Sequence, residues 1–491
     1  MAEDGIPAKK AEKTSMNCEK PLAHFQKLIY NGERSAAEIF HGAVRSDSSG
    51  FALLFPRQRK DVPYMIDYAR MLRNLKSPEV VDRLSHLYGN RDGMLVEQTT
   101  RYTMMLKRHE DLFHADSEVL LVSAPGRTEI GGNHTDHNRG KVLAAAVNLD
   151  TLAAVSARKD MEVHLHSEGY RPLVVDLSDL SVRPREKGTT AALIRGVAAR
   201  MKELGYKIGG FDACATSSVA SGSGLSSSAA FEVMVCAILD ALYNGFTIDY
   251  KLRAQISQYA ENVYFGKPSG LLDQMASSAG GLVTIDFKND DPDVRPLSYD
   301  FAAKGYALVV VATGGSHADL TDDYAAIPAE MKQVAAHFGE SHLRRIRHEE
   351  FLQELPALRK EKISDRAILR AMHFYQENAR VTRQVAALDK DQVPAFLQEI
   401  ISSGRSSYMY LQNVYANVKD ESLALALALA EGKLSGKGAW RIHGGGFAGT
   451  TLNFVPQEEL ESFVEMMEGA FGERCCHVLD IRPEGPAVIR L

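Results

Sequence analysis

No Gly-x-x-x-x-Gly-Lys-Ser/Thr segment occurs in the 491 residues, which excludes a Walker-type phosphate loop. No apolar run is long enough to span a bilayer, which argues against a membrane helix. The first ten residues, Met-Ala-Glu-Asp-Gly-Ile-Pro-Ala-Lys-Lys, lack the apolar core of a secretory signal. Excess positive charge is missing too: the net charge is −6, which argues against nonspecific nucleic-acid binding. Cysteine is scarce. Five are present, Cys18, Cys214, Cys236, Cys475 and Cys476, an odd number without zinc-type spacing. That pattern fits a reducing cytoplasm, with Cys475 and Cys476 as packing residues. No internal repeat is found. A hydrophobic fraction of 45% is ordinary for a globular protein, and the length exceeds one typical domain and allows a large core.

The most informative stretch is Ser217-Ser-Val-Ala-Ser-Gly-Ser-Gly-Leu-Ser-Ser-Ser-Ala-Ala230, which opens an apolar helical segment over 231–242. Small residues let backbone approach a bulky anion closely. A helix starting there aims its unpaired N–H groups and positive dipole end at that anion. The hydroxyls of Ser226, Ser227 and Ser228 add hydrogen bonds or a magnesium ligand. The run reads as a polyphosphate cradle, although by itself a Gly/Ser-rich linker explains it equally well.

Two more segments stand out. The first is Ala124-Pro-Gly-Arg-Thr-Glu-Ile-Gly-Gly-Asn-His-Thr-Asp-His137, read as a loop between the β-like run 118–123 and the apolar run 142–147. His134, Asp136 and His137 invite a metal site, but no Cys or further His lies near enough to complete a zinc set. Their spacing better suits hydrogen bonds to sugar hydroxyls, with Arg127 left for a phosphate. The second is His443-Gly-Gly-Gly-Phe-Ala-Gly-Thr-Thr451, which alone would pass for a hairpin turn.

In this order and at this spacing the three segments resemble the sugar-kinase branch of the GHMP kinase superfamily, galactokinase most closely, over about residues 117–491. A fourth segment, Ala260-Glu-Asn-Val-Tyr-Phe-Gly-Lys-Pro-Ser-Gly-Leu-Leu-Asp-Gln-Met275, is similar to the family's Ala-Glu-His…Gly-Ile-Met-Asp-Gln. The family places a magnesium-binding Glu and the catalytic Asp there, at Glu261 and Asp273 of this chain. An ionised carboxylate between apolar residues, as Asp273 stands, is seldom buried without a partner or a task. Several positions depart from the family. Asn133 replaces a sugar-binding Glu, Glu129 an Asn, Gly131 an Ile, His137 a Tyr, Ala220 the loop Pro, and Ala448 a Gly. An amide offers one acceptor and two donors and no charge, so Asn133 opens the identity of the sugar.

The resemblance implies an α+β fold of two domains, 117–300 and 301–491, with the site in the cleft between them. Ahead of them stand a disordered start over 1–20 and a mostly helical extension over 21–116, assigned to packing. The middle of the second domain, 344–415, reads as mostly helical, and 423–430 as a buried helix despite its alternating Leu and Ala. The implied activity is ATP-dependent phosphorylation of a hexose, galactose first, at its anomeric hydroxyl. ATP lies against Gly222, Ser223, Gly224, Leu225, Ser226, Ser227 and Ser228, and Mg2+ on Ser228 and Glu261. Asp273 faces the attacking hydroxyl and Arg127 the transferred group. Asn133, His134, Asp136 and Tyr324 contact the sugar. The partners are then a small sugar and ATP, not nucleic acid or membrane, in the cytoplasm, with the oligomeric state open. Another hexose, an N-acetylhexosamine, or a catalytically silent sugar and ATP sensor stay as alternatives.

Overall fold

The computed structural model describes residues 67–219, 224–314, 320–415, 419–447 and 449–491. The expectations for residues 1–66, and those for Ala220, Gly222, Ser223 and Ala448, lie outside the described residues.

The described chain begins with helices α1 (Tyr68–Asn74), α2 (Pro78–Tyr88) and α3 (Met94–Phe113). Ser77 caps α2 by accepting the Val80 N–H, and Pro78 stands in the first turn, where its missing N–H costs nothing. Val80, Leu84, Leu87 and Tyr88 form the buried stripe of α2. With Tyr102, Met105 and Leu106 of α3 it packs on Leu121, Leu152, Ala154, Cys214 and Ile489, one face of a sheet.

That sheet starts with β1 (Val119–Gly131), β2 (Lys141–Ala157), β3 (Glu162–Ser167) and β4 (Leu173–Asp176). After α4 (Thr190–Glu203) come β5 (Phe211–Ser217), α5 (Ser227–Tyr243), α6 (Tyr250–Tyr259) and α7 (Leu272–Ala279). Strands β6 (Leu282–Asp286) and β7 (Asp293–Leu297) follow. Strand side chains alternate between faces, so Leu120, Val122, Ala153, Val155 and Ala213 point away from α2 and α3, into a core under α4, α5 and α6. Burial on both faces explains why these strands read as unbroken apolar runs in the sequence.

The second half contains β8 (Tyr306–Ala312), α8 (Thr321–His337), α9 (His348–Gln353), α10 (Leu355–Lys360), α11 (Asp365–Asp389) and α12 (Val393–Ser406). It continues with α13 (Ser422–Leu434), β9 (Ala439–His443), β10 (Thr450–Pro456), α14 (Leu460–Phe471), β11 (Cys476–Leu479) and β12 (Ala487–Arg490). Among the described residues one sheet has eight strands, ordered β12-β1-β2-β5-β3-β4 with β6 on β2 and β7 on β6. The other has four, ordered β11-β8-β10-β9. No described helix is long and apolar enough to cross a membrane.

Three features differ from the reading of the sequence. The 124–137 segment is not one loop: β1 runs on to Gly131, with register shifts between Pro125 and Arg127 and between Glu129 and Gly131. Such bulges kink a strand and re-aim its side chains, and they hide a strand from simple alternation. The chain end does not stay with the second sheet, because β12 pairs antiparallel with β1 and covers its free edge. Helix α13 buries Leu423, Ala426, Ala430 and Leu434 on one side, while Leu425 is 53% exposed, so the helix is buried on one face only.

One charged residue locks the helical extension to the sheet. Asp150 of β2 is fully buried and accepts hydrogen bonds from Tyr88, Ser123, Arg101 and Arg482. Burial raises its carboxyl, yet the Arg101 and Arg482 charges hold it below the ordinary carboxylate value. Asp150→Asn leaves two arginines facing a neutral amide. We expect a loss of about 3–5 kcal/mol in urea unfolding, the size seen when one partner of a buried pair is removed. A loss under 1 kcal/mol would show that the cluster is not what holds the helices down.

Candidate active site

The candidate phosphate end is built where β5 gives way to α5. Ser226 precedes the helix at φ +62°, and its side chain makes no cap bond to the first-turn N–H groups. Gly224 lies at φ +69°, and a Cβ there would come within 2.2 Å of Thr450 Oγ1 and 2.9 Å of His443 Nδ1. Only glycine meets both demands. Leu225 is fully buried in the core and its carbonyl accepts the Arg127 N–H at 3.1 Å. Gly224 and Leu225 therefore anchor the loop against the two sheets, while Ser226, Ser227 and Ser228 are partly exposed.

Arg127 and Asp273 meet beside this loop. The guanidinium Nε donates to Asp273 Oδ1 at 2.8 Å, Nη2 lies 2.7 Å from the same oxygen, and Nη1 donates to the Gly224 carbonyl. Asp273 Oδ2 accepts from the Ser226 hydroxyl. The Arg127 side chain is 7% exposed and that of Asp273 30%, so the carboxylate is the open member of the pair. Burial raises the Asp273 carboxyl, but the Arg127 charge and the hydrogen bonds from Ser226 and Arg127 outweigh it and hold it below the ordinary value.

A second carboxylate lies along the same wall. Glu261 stands in a π-helical turn over Ala260–Phe265 and accepts from Ser228 Oγ at 3.1 Å. Lys267 Nζ lies 2.9 Å from the same oxygen, and Ser269 donates to the other. Lys267 and Ser269 were not singled out from the sequence, although both lie inside the 260–275 segment that was. Ser228 and Glu261 present hard oxygen donors, one hydroxyl and one carboxylate, which suits magnesium shared with phosphate and water. Among the described residues no three His, Cys, Asp or Glu side chains converge on a metal position.

The candidate sugar end is the turn over 132–140. Helix α11 clamps it: Glu377 accepts the Gly132 N–H at 3.1 Å, His373 Nε2 donates to the Asn133 carbonyl at 2.9 Å, and Asn378 accepts the Lys141 N–H at 2.8 Å. These three residues share one face of α11, and nothing in their spacing alone marks them as clamps. His134 donates through Nε2 to the Gly445 carbonyl at 3.0 Å. Burial, and then the neighbouring His137, lower its imidazole to about 4, so it is neutral at physiological pH and Nδ1 is an acceptor. Asp136 accepts the His137 N–H, and a Cβ on Gly270 would stand 1.7 Å from its Oδ2. A cleft of about 600 Å³ opens beside Asp136, lined also by His137, Arg139, Asn262 and Ser269. Tyr324 rests on the glycine turn, donating to the Gly446 carbonyl at 2.8 Å and meeting Phe447 edge-on.

Asn133 is fully buried and all of its side-chain capacity is engaged inside the protein. Its amide donates to Glu129 Oε1 at 3.0 Å and the Gly444 carbonyl at 2.7 Å, and its oxygen accepts from Ser407 and Asn413. Glu129 in turn accepts from buried Arg441 at 2.7 Å. The two positions at which this chain trades Asn for Glu and Glu for Asn thus touch each other.

Residues 107–157 match the galactokinase galactose-binding signature, and residues 192–281 match the N-terminal domain of GHMP kinases. The chain is 32% identical to galactokinase of Streptomyces coelicolor over 370 residues, 74% of this chain and 92% of the relative. It is 31% identical to human galactokinase over 391 residues, 77% and 94% of the two chains. In fold it resembles Lactococcus lactis galactokinase, solved with galactose (TM-score 0.69, 23% identity, 79% of this chain and 99% of that one). It also resembles mevalonate kinase of Methanococcus jannaschii (TM-score 0.53, 12% identity, 74% of this chain and 98% of that one).

Two outcomes follow from this geometry. Asn133→Glu alone sets a second carboxylate against Glu129 in a buried site, and should destabilise the fold by about 3–5 kcal/mol. Glu129→Asn with Asn133→Glu restores one carboxylate and one amide and should recover most of that loss. Strictly additive effects in urea unfolding would refute the coupling. The second outcome concerns Glu377. Burial acts to raise its carboxyl, but the Arg380, His373 and Arg441 charges and a hydrogen bond from Ser403 bring it down to about 2. The folded value lies below the unfolded 4.5, so this stabilisation is complete above about pH 4.5 and is lost as pH falls toward 2. The stability gap between wild type and Glu377→Gln should shrink through that window. A constant gap would mean that the charge is not what stabilises.

Proposed function

This chain belongs to the galactokinase family and is a sugar kinase that phosphorylates galactose, and we propose that Asp273 and Arg127 carry the transfer from ATP to the anomeric hydroxyl. The observation that supports this most is the convergence on one wall of an uncapped helix start, the Arg127–Asp273 pair and the Ser228–Glu261 pair.

In this reading the triphosphate lies along the loop ending at Ser228, where the first-turn N–H groups of α5 and the serine hydroxyls receive phosphate oxygens. Arg127 stands at the transferred group and neutralises charge there. The galactose hydroxyl approaches the open Asp273 carboxylate. A carboxylate held below its usual pKa is a weak base, so Asp273 orients the hydroxyl first. It accepts the proton as the bond to phosphorus forms and the bond to the ADP oxygen breaks. Phosphoryl transfer through a loose transition state does not need earlier deprotonation. Catalysis then rests on positioning and charge neutralisation. Ser228 and Glu261 would hold magnesium, which when bound neutralises phosphate charge.

At the other end His134, Asp136 and Tyr324 hold the sugar hydroxyls. Neutral His134 accepts through Nδ1, and Asp136 accepts through the carboxylate. Asn133 acts on the sugar through the turn it pins, since its own donors and acceptor are engaged. We place the enzyme in the cytoplasm, on the free cysteines among its described residues, and read 117–300 and 301–491 as its two kinase lobes.

Asp273→Asn keeps the size and removes the charge. Formation of galactose 1-phosphate should fall by about 10²–10⁴-fold, with ATP affinity by calorimetry nearly unchanged. Near-normal turnover of the folded variant would end the assignment. Intact sugar and ATP binding with no turnover in the wild type would instead favour a silent sensor.

A further inference from the structure

Behind the Glu261 carboxylate lies a buried group that the reaction does not use. Glu232 of α5 is fully buried, and so is Gln274, the residue after Asp273. The Gln274 amide donates to Glu232 Oε2 at 3.0 Å and to Glu261 Oε2 at 2.8 Å, which uses both of its hydrogens. Among the described residues two oxygens in this cluster have no hydrogen-bond partner: Glu232 Oε1 and Gln274 Oε1. Each is an acceptor enclosed in protein, and an unsatisfied buried acceptor costs about 1–3 kcal/mol. No arginine, lysine or histidine is paired with Glu232 among the described residues. Lys267, the cation of this region, is paired with Glu261.

One proton resolves both orphans. A carboxylic acid and a primary amide are complementary: the amide N–H meets one acid oxygen while the acid O–H meets the amide oxygen. We infer that Glu232 is a carboxylic acid in the folded protein, that it closes a cyclic acid–amide pair with Gln274, and that this pair aims the second Gln274 N–H at Glu261. Glu232 is therefore a positioning residue for the Glu261 carboxylate, and the inference rests on the reading of Glu261 as a magnesium ligand. The charges around it agree. Burial first, and then the Glu261 charge, push the Glu232 carboxyl well above its ordinary value, while the Gln274 hydrogen bond and Lys267 act the other way and Asp273 adds to the rise.

The test compares Glu232→Gln with Glu232→Met. A second amide can reproduce both hydrogen bonds of the acid, so Glu232→Gln should keep kcat and the magnesium concentration for half-maximal rate within about twofold. Glu232→Met leaves Gln274 free to turn and should raise that magnesium concentration by about 10-fold or more, as loss of an outer-shell partner does, with the galactose KM unchanged. Infrared difference spectra between wild type and Glu232→Gln at neutral pH should contain the C=O stretch of a protonated carboxyl. If Glu232→Gln raises the magnesium requirement as Glu232→Met does, or the acid band is absent, Glu232 is ionised and the inference fails. An unchanged magnesium requirement in Glu232→Met also overturns it. Glu261→Gln is the control for the underlying reading: if it leaves magnesium dependence unaltered, the metal assignment fails, while the infrared band still reports on Glu232.

Discussion

Arg127 holds the site together. Its backbone N–H is bound by the loop before α5, one guanidinium nitrogen reaches the carbonyl of Gly224, and the others hold Asp273 at the start of α7. Three elements far apart in sequence thus meet on one side chain. Arg127 can do this because β1 is kinked on both sides of it, which turns the guanidinium out of the strand's regular alternation and toward the loop. The same contact sets the electrostatics. A cation against Asp273 keeps the carboxylate charged where burial alone would neutralise it, which in the proposed mechanism favours orienting a hydroxyl over removing its proton early.

Charge is buried on the same terms at three other places, each time against a partner charge. Glu129 faces Arg441 across the two sheets, Glu377 faces Arg380 behind the sugar turn, and Asp150 faces two arginines under the helical extension. The Glu129 and Asp150 pairs join segments that the apolar core brings near but cannot align by itself, because apolar contact is non-directional whereas these hydrogen bonds have geometry; Glu377 and Arg380 lie one turn apart on α11. Glu232 is the exception, a buried carboxyl beside an amide and no paired cation, which is why its proton matters. The trade at positions 129 and 133 obeys the same rule. One carboxylate and one amide in contact remain one carboxylate and one amide when exchanged, and Arg441 needs the charge within reach.

Much of this was legible in the chain. The Gly/Ser run marked the start of α5, because helix starts and small residues act locally. Ser77 and Pro78 marked α2 for the same reason. The 260–275 segment was singled out for Glu261 and Asp273, yet Lys267 and Ser269 within it passed unnoticed, since their contacts with Glu261 depend on a π-helical turn. The clamp of His373, Glu377 and Asn378 was not legible either. On paper it is one polar face of a long helix, and only packing against the 132–140 turn turns that face into hydrogen bonds.

The sequence by itself determined the family, the chemistry and the order of the segments that carry it, because these reside in residue types at short spacing. Tertiary structure decided what those residues face. It extended β1 to Gly131 and sent the last strand back to the edge of the first sheet. It also turned Asn133 inward, where every donor and acceptor is engaged before a sugar arrives. The reason is physical: a side chain's partners are chosen by whichever buried groups reach it, and Glu129 and Arg441 stand 312 positions apart, a separation that no local pattern spans.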